Sequence, residues 1–218
     1  MAKKKSAFDR VQKRPVGAGA IEALNQHGLG LLQQGQFAAG AVLLQQSLAQ
    51  NAKQPEVSYN LGYALQQLGR LEEALVSYTQ AVSLMPDDLD AVMSRGRVRA
   101  SLGQFEAAAA DFAKATRLEP QSPDAWNNLG NALLDLERES DAIAAYDKAL
   151  AVRPNFAQVL FNKGKALGAL ERYAEAAVAY ESALALNPQY EEAKWHLSWV
   201  KLVLGDFAQG WPLFEARW

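Results

Sequence analysis

Cysteine is absent from the 218 residues. A disulfide framework, a thiol nucleophile and a thiolate metal site are thereby excluded. Histidine is nearly absent: His27 and His196 stand far apart in the chain, so no histidine-rich metal cluster is expected. No apolar run approaches the roughly 20 residues that a bilayer-spanning helix needs. The basic start MAKKKSAFDRVQ is followed by no hydrophobic stretch, so it does not read as a secretory signal, and a cytoplasmic location is expected. Proline is sparse, with 8 residues, while alanine is abundant, which favours helix. Also missing are a glycine-rich phosphate loop behind a strand, an H-E-x-x-H helix and a G-x-S-x-G elbow. No enzyme and no cofactor are expected.

Charge is unevenly distributed in sign, with an excess of cations at one end. Residues 1–20 carry six Lys/Arg (Lys3, Lys4, Lys5, Arg10, Lys13, Arg14) against one Asp, net +5, and the remainder carries 16 against 23, net −7. A mildly acidic body does not suit nucleic acid. The basic arm is read as a solvated, flexible terminus.

What is present is a period. Gly28, Gly62, Gly96, Gly130 and Gly164 are spaced 34 residues apart. Ala74, Ala108, Ala142 and Ala176 keep the same step, as do Leu44, Tyr78, Phe112, Tyr146, Tyr180 and Phe214, and Pro86, Pro120, Pro154 and Pro188. Five units run over 21–190, and 191–218 reads as a partial sixth unit or a capping segment. Self-similarity at this period means a solenoid.

Trp126, Leu129, Gly130, Leu133, Ala142, Tyr146, Ala149 and Pro154 resemble the tetratricopeptide pattern W-x2-L-G-x2-Y…A-x3-F…P, with leucine where the pattern prefers tyrosine. The first unit departs most, through His27, Gly40, Ser47 and Ala52. The resemblance implies an all-α fold, a right-handed superhelical solenoid of antiparallel helix pairs. Local chemistry agrees. In PDAWNNLGNALLDL, Ser122 suits the N-cap, Pro123 the first helical position and Asp124 the helix dipole. In SDAIAAYDKALAV the helix should stop at Arg153-Pro154. A mid-helix glycine costs about 0.5–1 kcal/mol against alanine. Close approach to the Ala or Gly twelve residues later is the expected compensation.

We number the positions of each unit from Ile21, Pro55, Leu89, Pro123, Ala157 and Glu191. Positions 4, 7, 8 and 11 form an apolar face on the first helix. Position 6 holds Gln26, Asn60, Ser94, Asn128, Asn162 and His196, about 200° around from positions 4 and 8. These side chains should point away from the core, into the concave groove that the resemblance implies. The pattern resembles the asparagine ladder in the repeats of O-linked N-acetylglucosamine transferase, where such amides hold the backbone of an extended peptide. By that resemblance Asn60, Asn128 and Asn162 are peptide-binding candidates, and the alternative is that the amides serve the fold. Tyr59 and Trp195 at position 5, and Tyr63, Arg97, Asn131, Lys165 and Trp199 at position 9, are the companion candidates. Arg95, Arg99 and Lys163 occupy core-facing positions, where their stems should pack while their charges reach water.

Four of the five tryptophans, Trp195, Trp199, Trp211 and Trp218, fall in the last 24 residues. Pro212 suggests a late helix start. The ending GDFAQGWPLFEARW resembles the place where bacterial arrays of this family meet a glycosyltransferase-like domain. The functional expectation is a non-catalytic scaffold for a protein or extended peptide, the N-terminal part of a longer protein that presents substrates to a transferase domain. The alternative is a self-associating structural protein that docks through its Trp-rich end.

Overall fold

The computed structural model describes residues 18–215. They form twelve α-helices and, among the described residues, no strand. The basic residues Lys3 to Arg14 and Trp218 lie outside them. The chain divides into two compact units, Met1–Pro86 and Asp87–Trp218.

The first unit holds α1 (Ala18–Gln33), α2 (Phe37–Gln50), α3 (Pro55–Gln67) and α4 (Leu71–Leu84). The second holds α5 (Leu89–Ser101), α6 (Phe105–Leu118), α7 (Pro123–Asp135), α8 (Glu139–Val152), α9 (Ala157–Ala169), α10 (Tyr173–Leu186), α11 (Glu191–Val203) and α12 (Phe207–Glu215). Within each unit every helix packs on the next in sequence. The second helices begin at 37, 71, 105, 139, 173 and 207, so the 34-residue period survives as a structural register. Helix α1 starts at Ala18, three residues before the expected boundary.

Several expected devices are in place. Ser122 Oγ accepts a hydrogen bond from the Ala125 amide at 3.3 Å, with Pro123 at the first turn of α7. Asp88 does the same for Ala91 at 2.8 Å. Between the two helices of each pair the chain turns through a left-handed residue. Gly35, Gly69, Gly103 and Gly205 supply it without strain, whereas Glu137 (φ 56°) and Glu171 (φ 58°) adopt the same conformation with a side chain attached.

The core of the second unit is built on alanines beside the rings of Tyr146 and Tyr180 and the aliphatic side chains of Val159, Leu167 and Val200. The glycines do make close approaches. A Cβ on Gly62 would meet the ring of Tyr78 at 2.9 Å, one on Gly96 the ring of Phe112, one on Gly130 that of Tyr146 and one on Gly164 that of Tyr180. The glycine therefore makes room first for the large residue sixteen positions later. Only in the first pair do the two glycines also touch, with Gly28 O at 3.0 Å from a Cβ on Gly40.

The expected apolar face is also broader than four positions. Helix α7 buries Ala125, Asn127 and Ala132 as well as Gly130 and Leu133, while Trp126 and Leu129 are half-buried. Helices α3, α7, α9 and α11 each have two neighbours to satisfy, their own partner and the preceding pair.

Arg95 and Arg99 turn to a buried carboxylate rather than to water, whereas Lys163 reaches the exposed Asp147. Arg95 pairs with both carboxylate oxygens of the buried Asp111, at 2.9 and 2.5 Å, and Arg99 with one at 2.8 Å. Lys163 pairs with Asp147 at 2.6 Å. A single carboxylate on α6 thus compensates two cations that replace leucines of other repeats. The late helix start is likewise not found: α12 begins at Phe207, in register with the other second helices, and carries Pro212 inside it.

Candidate functional site

The stripe of candidate residues lies on the first helices, and each compact unit carries its own portion. In the first unit, Tyr63 is exposed at position 9 of α3, its ring edge-on to Phe37 at 5.9 Å. Tyr59 is half-buried, 5.5 Å from the ring of Tyr78. Asn60 is half-buried, and its amide donates to the Glu56 carbonyl of the preceding turn at 2.7 Å.

In the second unit, position 9 of successive first helices holds Arg97, Asn131, Lys165 and Trp199. Arg97, Lys165 and Trp199 are exposed, and Asn131 is half-buried. Arg97 donates to Ser94 Oγ at 3.0 Å. The Lys165 ammonium stands 5.9 Å from the centre of the Phe161 ring, and Trp199 meets Tyr173 edge-on at 5.6 Å. Trp195 is exposed and perpendicular to His196 at 4.8 Å. Burial holds the His196 imidazole below its ordinary value, the Lys165 charge adds to that, and Glu192 opposes it.

The asparagines do not behave alike. Asn128 is half-buried and makes no hydrogen bond among the described residues. Asn162 is only 6 % exposed and does not stand free in a groove. Its amide donates to Asn127 Oδ1 at 3.1 Å and to Asn131 Oδ1 at 2.9 Å, both on the preceding repeat. Its oxygen accepts from Gln158 at 3.2 Å. The Tyr146 hydroxyl also donates to Asn131 Oδ1, at 2.8 Å, and the Tyr190 hydroxyl donates to Gln158 Oε1 at 2.9 Å. Asn162 is thus the centre of a polar chain that ties two successive repeats together and extends to Tyr190, just before α11. The reason is geometric. First helices of neighbouring repeats lie side by side, so position 6 of one meets positions 5 and 9 of the one before it. Gln158 and Tyr190 belong to this chain, and no spacing within one helix marks them. Among the described residues no group of acidic and histidine side chains is placed to hold a metal, and no helix is long and apolar enough to cross a membrane.

Three family models, each described as a tetratricopeptide repeat, match residues 31–96, 93–158 and 157–190. No curated protein matches the chain. Among solved structures, a tetratricopeptide repeat protein from Parabacteroides merdae superposes with a TM-score of 0.80 at 19% identity, over 91% of this chain and 79% of that one. The protein MamA gives 0.69 at 19% identity, over 74% and 88%. YrrB, described as a TPR protein with an unusual peptide-binding site, gives 0.65 at 20% identity, over 79% and 89%. At these identities the likeness is one of fold.

Proposed function

For a chain that belongs to the tetratricopeptide repeat family, we propose a non-catalytic scaffold that holds an extended segment of a partner protein. The observation that carries this reading is the row of exposed side chains at one register position of the second unit, Arg97, Lys165 and Trp199, with the Asn128 amide on the neighbouring position. An amide offers a donor and an acceptor, as a peptide backbone does. Two cations and a tryptophan beside it favour a segment with acidic and apolar side chains. In the first unit, Asn60 and Tyr63 carry the same two kinds of chemistry. Asn162 orders the repeats rather than touching the ligand. That YrrB is described as having a peptide-binding site accords with this use of the fold.

Presentation of a bound protein to a transferase domain is the finer form of the proposal, motivated by the GDFAQGWPLFEARW ending. A random peptide library displayed on phage and selected on the immobilised chain tests the reading. Enrichment of acidic-apolar segments, lost for the Arg97→Glu/Lys165→Glu variant, supports it. No enrichment, or enrichment indifferent to that variant, overturns it.

A further inference from the structure

The core-facing cations of the second unit are spent within the chain: Arg95 and Arg99 on Asp111, Lys163 on Asp147 and Lys201 on Glu181. The two cations at position 9 are not. Arg97 is exposed and donates to the neutral Ser94 hydroxyl, and the exposed Lys165 ammonium faces the Phe161 ring. Neither forms an ion pair among the described residues. Helix α7 stands between the two helices that carry them, in contact with both. Its Asn128, three residues before position 9, is half-buried and makes no hydrogen bond among the described residues. Its Asn131 is already taken by Tyr146 and Asn162. Across α5, α7 and α9 the unengaged groups therefore run cation, amide, cation.

Packed helices lie about 8–10 Å apart, so Arg97 and Lys165, with one helix between them, are about 16–20 Å apart. An extended chain advances about 3.3 Å per residue and a polyproline II chain about 3.1 Å, so about six residues span that distance in either form. A step of six also returns a side chain to the same face in both, because it is a multiple of two and of three. Resting on the reading of this stripe as a holder of extended segments, we propose that the second unit selects a segment with carboxylates at i and i+6. One carboxylate sits on Arg97 and the other on Lys165, and the main chain between them pairs with the Asn128 amide, which offers both a donor and an acceptor. The residue midway is not acidic. Asp135 is exposed on α7, four residues after Asn131 and so about 6 Å along the helix from the level of the two cations. A third carboxylate placed over α7 would meet its charge.

The test is calorimetric titration, at low ionic strength, of short terminally blocked peptides of identical composition. Each carries two glutamates, spaced i,i+3 or i,i+6, in a neutral background that keeps one leucine and one tyrosine. The i,i+6 peptide should bind about two- to fivefold tighter, which is what one further exposed ion pair contributes, and the preference should fade as salt rises. Arg97→Gln and Lys165→Gln, each with an unchanged melt by circular dichroism, should abolish the difference between the two peptides, because a single cation cannot read a spacing. A third glutamate at i+3 of the i,i+6 peptide should weaken binding, and Asp135→Asn should restore it. Equal affinity of the two spacings for wild type, or a preference that survives Arg97→Gln, overturns the proposed spacing and leaves the scaffold reading in place. Failure of both peptides to bind, while a library-selected peptide still binds, does the same. If the library yields no binding peptide either, the scaffold reading falls and the spacing with it.

Discussion

Gly130→Ala adds one methyl group to a helix and should destabilise the protein, although alanine is the better helix former. The new Cβ would stand 2.7 Å from Tyr146 Cδ1 and 2.9 Å from Cζ, and closer still to Cε1. Tyr146 cannot swing aside cheaply. It is fully buried, and its hydroxyl is held by Asn131 Oδ1 at 2.8 Å. Overpacking of this kind costs about 1–3 kcal/mol, and displacing the ring puts a further ~0.5–1.5 kcal/mol of hydrogen bonding at stake. Helix propensity returns about 1 kcal/mol. The net is a loss of about 2 kcal/mol, or about 4–8 °C in Tm for a chain of this size. The comparison is Gly30→Ala on α1, where nothing lies within 4 Å of the added carbon and the same propensity gain should appear as about 0.5–1 kcal/mol of stabilisation. Urea melts followed by circular dichroism measure both, with the midpoint moving at constant slope. Gly130→Ala equal to or more stable than wild type would refute the argument that the periodic glycines exist to admit the rings.

Other substitutions separate fold from function. Asn162→Ala should cost about 1–3 kcal/mol, because it strands polar groups of Asn127, Asn131 and Gln158, and a thermal melt checks it. Glu171→Gly should stabilise by about 1 kcal/mol, because it relieves a side chain held at φ 58°; the urea midpoint should rise. His196 is held below its unfolded value of 6.5, so its neutral form is the native one. Both states are neutral well above pH 6.5. As pH falls below that value the unfolded chain takes up the proton first, and stability declines until the folded pKa is reached. His196→Gln should flatten this part of the Tm–pH curve, and an unchanged slope would show that other groups set it.

Helix pairing was legible because it is written in spacing. The 34-residue step of Gly130 and Tyr146, the Ser122-Pro123 start and the Arg153-Pro154 stop are local signals that one helix or one hairpin satisfies alone. What spacing could not reveal was which surface of a first helix meets the repeat before it. That contact decides whether Asn162 is a ligand-binding amide or a rivet, and a helical wheel drawn on one repeat places it in solvent. The nearest partner of Gly130, the Tyr146 ring, went unnoticed for a related reason: a ring projects farther along the partner helix than its own Cα position suggests. Arg95 and Arg99 looked like snorkelling cations until α6 placed Asp111 between them. Arg97, Lys165 and Trp199 were identifiable as exposed from position 9, although the same position carries Asn131 into the contact with Asn162 of the next repeat.

The central claim is that the exposed register of the second unit, and not the buried amide chain, holds a partner segment. Calorimetric titration of a library-selected peptide against wild type, Asn128→Ala and Asn162→Ala, with a thermal melt of each, tests it most directly. Three or four backbone and side-chain contacts, each worth about 0.5–1.5 kcal/mol and offset by association entropy, predict a Kd on the order of micromolar. Asn128→Ala should weaken binding several-fold at unchanged Tm, and Asn162→Ala should lower Tm. Unchanged affinity for Asn128→Ala, together with a fall in its Tm, would contradict the account.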